Sequence, residues 1–487
     1  MNERRHPDRT GPRWTRLAVA PLVLSLAACV AHPPREDLPL ADLPAFSAAG
    51  EAALTDRWWD GFESEQLGRR IDRALTNNFT LEAAWERLRE ARALVATEVA
   101  AQRPAVDGTG EAVLEDGSDI GGRSSLGLGL EASYELDLWG RVRASIAAER
   151  LRADATALDY RAAAISLSAE VAIAWLRLAE ARLQLALINS QIETNETVLK
   201  VLELRFAVGQ SDAADVLRQR QLVEFTREQA VTVLNRIDLL EHRLAVLEGR
   251  PPQDPTDDDT TGLPTLGGMP TFGLPADVLM RRPDVQSVLL RIEASDRDVA
   301  VAVRDQYPRI DLFAAAATVA ENPGGLFDAW IGSLGAQLIA PLYDGSRREA
   351  EIDRRVAVRR QLLAQYGQAV LDALAEVEDA LASERRQSER LDRLRTRLDL
   401  AERTYARLRT QYLNGATDYI NILTALEDKQ QIERDLLAAE LDRILFRVAL
   451  HRAVAGGFET PREIADRGVR SPGAREDPSR SDEPAER

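Results

Sequence analysis

Cysteine, histidine and clustered carboxylates are the side chains through which this sequence could do chemistry, and one of them stands in a spacing that prescribes some. Cys29 is the only cysteine among 487 residues and closes the stretch Leu26-Ala27-Ala28-Cys29. Before it come Arg4, Arg5, Arg9, Arg13 and Arg16, then the apolar run LAVAPLVLSLAA at 17–28. A positive segment followed by an apolar run too short to span a bilayer is an export signal. Its end matches the bacterial lipoprotein motif, in which the cysteine is lipidated and becomes the new N-terminus. A lone cysteine cannot form an internal disulfide, so lipidation accounts for its presence. Val30 follows where Asp would favour retention in the inner membrane, which makes the outer membrane the expected address.

The other candidates lead nowhere. His6, His32, His242 and His451 are scattered, without metal-ligand spacing. There is no G-x-S-x-G nucleophile elbow and no Gly-rich phosphate loop. No catalytic residue, metal or cofactor is expected, and no enzyme. The net charge of −17 becomes about −20 once five Arg leave with Glu3 and Asp8 in the signal, and offers nucleic acid no basic face.

The elements that remain are long and two-faced. In LGLGLEASYELDLWG, at 126–140, Leu126, Leu128, Leu130, Ala132, Tyr134, Leu136 and Leu138 alternate with Gly127, Gly129, Glu131, Ser133, Glu135 and Asp137. Period two over that length predicts a strand with one oily and one polar face. Tyr134, Trp139, Trp330 and Tyr343 lie on or near strands, either as membrane-interface residues or as ordinary packing. After the signal (1–28) and a Pro/Ala-rich tether (29–63), a first repeat spans 64–248. It holds a helix at 64–102, strands at 106–117 and 126–138, and helices at 142–208 and 212–247. A Pro/Gly/Asp linker loop at 249–275 leads to a second repeat at 276–458, with a helix at 276–306, strands at 309–320 and 329–345, and helices at 347–413 and 418–455. The charged tail, 459–487, is expected to be disordered. Trp58 and Trp59 are expected to pack on the helices, and Pro283 to start one.

The duplication is legible residue by residue. Pro104 and Pro308 are 204 apart, and LRFAVGQSDAADVL (204–217) aligns with TQYLNGATDYINIL (410–423) at a shift of 206. That shift pairs Phe206 with Tyr412, Gly209 with Gly415 and Asp212 with Asp418. It also maps the seam Leu391, Leu394, Leu398, Ala401, Tyr405, Leu408 and Tyr412 onto Leu185, Ile188, Ile192, Asn195, Leu199, Leu202 and Phe206. Steps of three and four predict coiled-coil packing. A helix of ~65 residues runs about 100 Å, with strands at one end and the Gly209 and Gly415 turns at the other.

Four strands cannot close a membrane barrel, which needs about eight or more, and an open sheet would leave its edges bare. Three chains would give twelve strands, Leu facing lipid and Glu facing a wet lumen. The expected fold is mainly α with a β-barrel part: long antiparallel helices in a trimeric α-barrel, each protomer giving four strands to a shared twelve-stranded transmembrane barrel. A soluble sandwich strand on a coiled-coil stalk is the alternative.

At this point the sequence resembles the TolC-type outer-membrane factor family, in its NodT-like lipoprotein branch. The resemblance rests on WWDGFESEQLGRRIDRALTNNFTLEAA (58–84), DLWGRVR (137–143), LMRRPDVQSVLLRIEASDRDVAVAVRDQYPRIDLFAA (279–315), PLYDGSRR (341–348) and the paired turns, and covers about 50–458. It implies a homotrimeric channel in the outer-membrane lipid, completed by a periplasmic adaptor (membrane fusion) protein and an inner-membrane pump, that passes small toxic compounds or drugs outward. Type I protein secretion and a non-conducting periplasmic scaffold lipoprotein are the alternatives. The resemblance implies a periplasmic tip for adaptor docking at Gly209, Gly415, Phe206 and Tyr412. Asp418, Asp212 and Asp215 are candidates for a constriction ring, and Asp212 and Asp418 equally for helix N-caps. Asn421 and Thr424 stand where relatives can carry gate carboxylates.

Overall fold

The computed structural model describes residues 38–39, 43–48, 50, 57–115, 123–254, 262–271 and 273–470. The expected signal and Cys29 lie outside the described residues, as does most of the expected tether. In chain order the helices are α1 (Glu65–Asn77), α2 (Phe79–Ala100), α3 (Arg141–Ala207), α4 (Ala213–Leu247), α5 (Pro275–Arg281), α6 (Pro283–Arg304), α7 (Arg347–Leu413), α8 (Tyr419–Val454) and α9 (Pro461–Arg470). The strands are β1 (Ala105–Glu115), β2 (Arg123–Leu136), β3 (Arg309–Ala320) and β4 (Ile331–Ile339). The chain divides into two compact units, one of Thr97–Ala148 with Ala294–Arg360, the other of Leu38–Ala96, Glu149–Glu293 and Gln361 onward.

The first unit is an antiparallel sheet with its flanking helix ends, in strand order β1-β2-β3-β4. Leu128 opposes Gly110 on one side and Thr318 on the other, and Phe313 opposes Gly335. Alternation then sorts the side chains. One face carries Val106, Leu114, Leu128, Leu130, Leu312, Leu334 and Leu338; the other carries Asp107, Glu111, Glu131, Glu135, Asp311 and Gln337. At the strand ends Arg141 grips Glu135 through two hydrogen bonds of 3.1 and 2.7 Å. The backbone N–H groups of Val142 and Arg143 donate to the Asp137 carboxylate, each at 3.0 Å, which starts α3. Trp139 stacks on Tyr307 at 5.0 Å and donates its indole N–H to the Pro308 carbonyl.

In the second unit the helices meet along the predicted seams. Ile188, Leu202, Leu391 and Leu394 are buried, and Asn195 is fully so. The main core joins α1, α3 and α8 through Leu67, Ile71, Leu75, Tyr160, Leu176, Leu441, Ile444 and Val448. Arg70 pairs with Glu248 at 2.7 Å, both buried, and Arg447 pairs with Glu384 while also donating to the carbonyls of Gly267 and Gly268. Removing one partner of such a pair would strand an uncompensated charge.

Three expectations need correction. Both helices ahead of the strands are broken by one residue: Asn78 (ψ 123°) separates α1 from α2, and Arg282 (ψ 119°) separates α5 from α6. The residue before Pro283 is pushed out of the helical region. Asn78 leaves the helix because its side chain caps the next one, accepting from the Leu81 N–H at 3.0 Å. The tether ends earlier than 63, since Trp58, Trp59 and Phe62 form a short 3-10 turn buried in the main core. The tail is not disordered at its start: α9 is tied down by Arg161–Glu463, Arg92–Asp466 and a Tyr160–Thr460 hydroxyl contact.

His451 stacks on Trp58 at 5.9 Å inside this core. Burial, helped by the Arg447 charge, pushes its imidazole down from 6.5 to about 4. The unfolded chain therefore takes up the proton first, and stability is lost as pH falls from 6.5 toward about 4. Between about pH 7.5 and about pH 4.5 this one group removes roughly 2 to 3 kcal/mol. His451→Phe keeps a ring on Trp58 and cannot titrate, so its unfolding midpoint should drop less on acidification than that of the wild type. An equal drop would clear His451 of the effect.

Candidate functional site at the paired helix turns

The two long helices end in the same way. After α3, Gly209 N–H donates to the Phe206 carbonyl at 3.0 Å and Gln210 N–H to the Arg205 carbonyl at 2.8 Å. After α7, Gly415 N–H donates to Tyr412 at 2.9 Å and Ala416 N–H to Gln411 at 2.8 Å. These are Schellman closures, which need a left-handed residue, and Gly209 (φ 72°) and Gly415 (φ 69°) supply it. A Cβ at either glycine would meet open space, so the requirement is conformational and not steric.

The next helices start from matching backbones, Asp212 at φ −85°, ψ 151° and Asp418 at φ −81°, ψ 154°. Their carboxylates differ. Asp212 accepts from Ala214 N–H at 3.2 Å, and Asp215 meets Arg218 at 3.5 Å. Asp418 is exposed, and its side chain caps nothing.

Phe206 and Tyr412 differ too. Phe206 is exposed, whereas Tyr412 lies edge-on to Tyr419 at 5.8 Å with the Arg205 guanidinium 4.8 Å over its ring. Around them Leu202, Val216, Leu222, Ile422, Leu423 and Leu426 close a four-helix cluster. Beside it runs a groove of about 460 Å³ lined by Val198, Val201, Tyr405, Leu413 and Ile422.

Behind the turns lies a buried polar layer. Asn195 donates to Thr226 Oγ1 at 3.1 Å and accepts from Gln430 Nε2 at 2.9 Å. Gln219 donates to the Asn195 carbonyl at 2.8 Å, and the Tyr419 hydroxyl donates to Gln219. Gln191 reaches the Gln430 carbonyl at 3.2 Å. Burial raises the Tyr419 phenol far above its usual range, so it stays a donor. The layer binds α3, α4 and α8 in one register. Among the described residues no group of His, Cys, Asp and Glu is arranged to hold a metal ion.

A profile described as outer membrane efflux protein matches residues 70–250 and 274–456, one match for each repeat. The chain belongs to that family. It is similar to the pyoverdine export outer membrane protein OpmQ of Pseudomonas aeruginosa, with 29% identity over 468 residues, 92% of this chain and 98% of that one. It is similar to the toluene efflux pump outer membrane protein TtgF of Pseudomonas putida, with 29% identity over 412 residues, 82% of this chain and 85% of that one. The solved outer-membrane channel OprN superposes with a TM-score of 0.80 at 25% identity, covering 88% of this chain and 99% of that chain. The protein is thus an outer membrane efflux protein built on the fold of a known channel.

Of the predicted tip residues, Tyr412 packs on the apolar cluster beside the turns and Phe206 stays exposed, while Cys29 lies outside the described residues. Sequence inspection missed the polar layer, although its signal was present: Asn195 stands in a seam of Leu and Ile, where a polar residue fixes register. Asn195→Leu leaves the Gln430 side-chain amide without its partner, while the Thr226 hydroxyl keeps only the Leu222 carbonyl, and should cost about 2 to 3 kcal/mol. Amide exchange at 206–219 and 412–424 should rise, read by hydrogen-exchange mass spectrometry. Unchanged protection there would mean the layer does not hold the turns.

Proposed function

We propose that three copies of this efflux protein assemble into one exit conduit of the outer membrane, each giving four strands to a twelve-stranded barrel. The observation that carries this is the sheet: four strands, an unpaired edge at β1 and another at β4, one face of Leu and Val, the other holding the carboxylates together with Phe313, Val319 and Ile331. Lipid favours the first face, a wet lumen the second. The helices of the three copies form an α-barrel, and the Gly209 and Gly415 turns form its periplasmic tip. A periplasmic adaptor docks there, Phe206 and the neighbouring groove supplying apolar surface, and an inner-membrane pump supplies the work. Acylated Cys29 anchors the chain. Small toxic compounds are the cargo, in keeping with the pyoverdine and toluene named for two relatives. Of the tip carboxylates, Asp418 alone has neither cap nor ion pair in the described structure, so it forms the constriction ring.

Conductance of the detergent-extracted protein in planar bilayers tests the conduit. Wild type should give discrete steps, and Asp418→Ala larger or less cation-selective ones. Unchanged steps in the variant would leave Asp418 merely at a helix start, and silence from a folded trimer would sink the conduit. Labelled palmitate should enter the wild type and not Cys29→Ala; an unlabelled wild type removes the anchor.

A further inference from the structure

The two repeats enter the sheet with fixed offsets. Ala105 opposes Ser133 as Arg309 opposes Ile339. With Pro104 and Pro308 204 residues apart, β1 maps onto β3 at 204 (105 to 309), and the two ladders then carry β2 onto β4 at 206 (133 to 339). The second offset also relates the long helices, Arg141 to Arg347 and Ala207 to Leu413. It even carries Gly140 (φ 78°) onto Ser346 (φ 64°), one of two non-glycine residues with positive φ among those described. The sheet is therefore two copies of one hairpin, joined where β2 meets β3. The free edge of β4 is of the same kind as β2, and the free edge of β1 of the same kind as β3.

We propose that β4 of one copy pairs antiparallel with β1 of the next, in the register that β2 and β3 use within the chain. This rests on the three-copy assembly proposed above and specifies its seam. Transposing Glu131–Ala315 puts Gln337 opposite Glu111; Leu128–Thr318 puts Leu334 opposite Leu114; Leu136–Ile310 puts Leu342 opposite Val106. The register follows from the backbone offsets alone and owes nothing to these side chains. Yet Leu334 and Leu114 are 86% and 85% exposed, and Leu342 and Val106 are 94% and 66% exposed. The seam covers them pairwise on the lipid side. Leu338 falls opposite Gly110, repeating the pattern in which Leu128 and Leu130 lie over Gly110 and Gly108.

A slip of one residue would turn every leucine of β4 into the lumen. Pro341, opposite Asp107, has no N–H to donate and fits only where the ladder has no hydrogen bond. Because the two kinds of pair alternate, Gln337–Glu111, four residues away, is also a non-hydrogen-bonded pair, with Cα atoms about 4.5 Å apart. That is within disulfide range.

The test is oxidative cross-linking of the full-length protein in outer membranes. Glu111→Cys with Gln337→Cys should shift the protein to reducible two- and three-chain bands. Thr109→Cys or Val113→Cys with Gln337→Cys, each slipped by two residues, should stay mostly one-chain. Glu111→Cys alone reports any link through Cys29. Leu114→Cys with Leu334→Cys repeats the test on the lipid face. If a slipped pair links better than both in-register pairs, or if a trimer shown by light scattering links through none, the register is overturned. A monomer by light scattering overturns the three-copy assembly itself, and the seam with it.

Discussion

A strand edge cannot stay unpaired in hydrocarbon, because no water is there to take its N–H and C=O groups. Nearly everything in this chain follows once its sheet is asked to meet that constraint with four strands. One copy offers two bare edges and an exposed apolar face. Helices could cover such a face in a soluble protein, but here the helices leave the strand ends instead, starting at Arg141 and Arg347 directly after the second strand of each hairpin. Closure has to come from other copies. The number of strands per chain, and not any single residue, is what makes the assembly proposed for this efflux protein obligatory.

The helical unit solves a different problem. The 67-residue α3, with mostly Leu and Ile along its seam, could slide by a heptad against α4 and α8 without losing much burial. Apolar contact is non-directional. The Asn195, Thr226, Gln219 and Gln430 layer is directional, and a slipped register would bury its donors unpaired at about 1 to 3 kcal/mol each. Placing the layer behind the turns fixes the turns against one another, so whatever docks there meets a defined surface.

Much of this was legible in the chain. The repeat, the alternation at 126–138 and both turn glycines are local patterns, and local patterns survive folding when tertiary contacts agree with them. The helix breaks at Asn78 and Arg282 were harder. Asn is tolerated inside helices, and Asn78 declares itself only by capping α2 while donating to the Leu247 carbonyl, 169 residues away. The ordered start of the tail was invisible for a like reason: Pro461 to Arg470 looks like charged filler until Arg92 and Arg161 are brought opposite Asp466 and Glu463. Polar residues read as solvated unless the partner is known, and the partner is a tertiary fact.

Duplication also explains why function should gather where the repeats differ. Two equivalent turns would give a tip of six identical helix starts in the proposed trimer. The chain keeps the backbone equal, with both glycines left-handed and both aspartates extended, and changes the side chains. Asp212 is committed to Ala214, and Asp418 to nothing. Phe206 stays in solvent, and Tyr412 is packed under Arg205. A side chain whose hydrogen-bonding capacity is already used by its own helix has little left for a neighbour or an ion. Splitting the roles lets each turn commit one side chain to the structure, Asp212 in the first and Tyr412 in the second, and leaves the other, Phe206 or Asp418, free to act on what passes or binds.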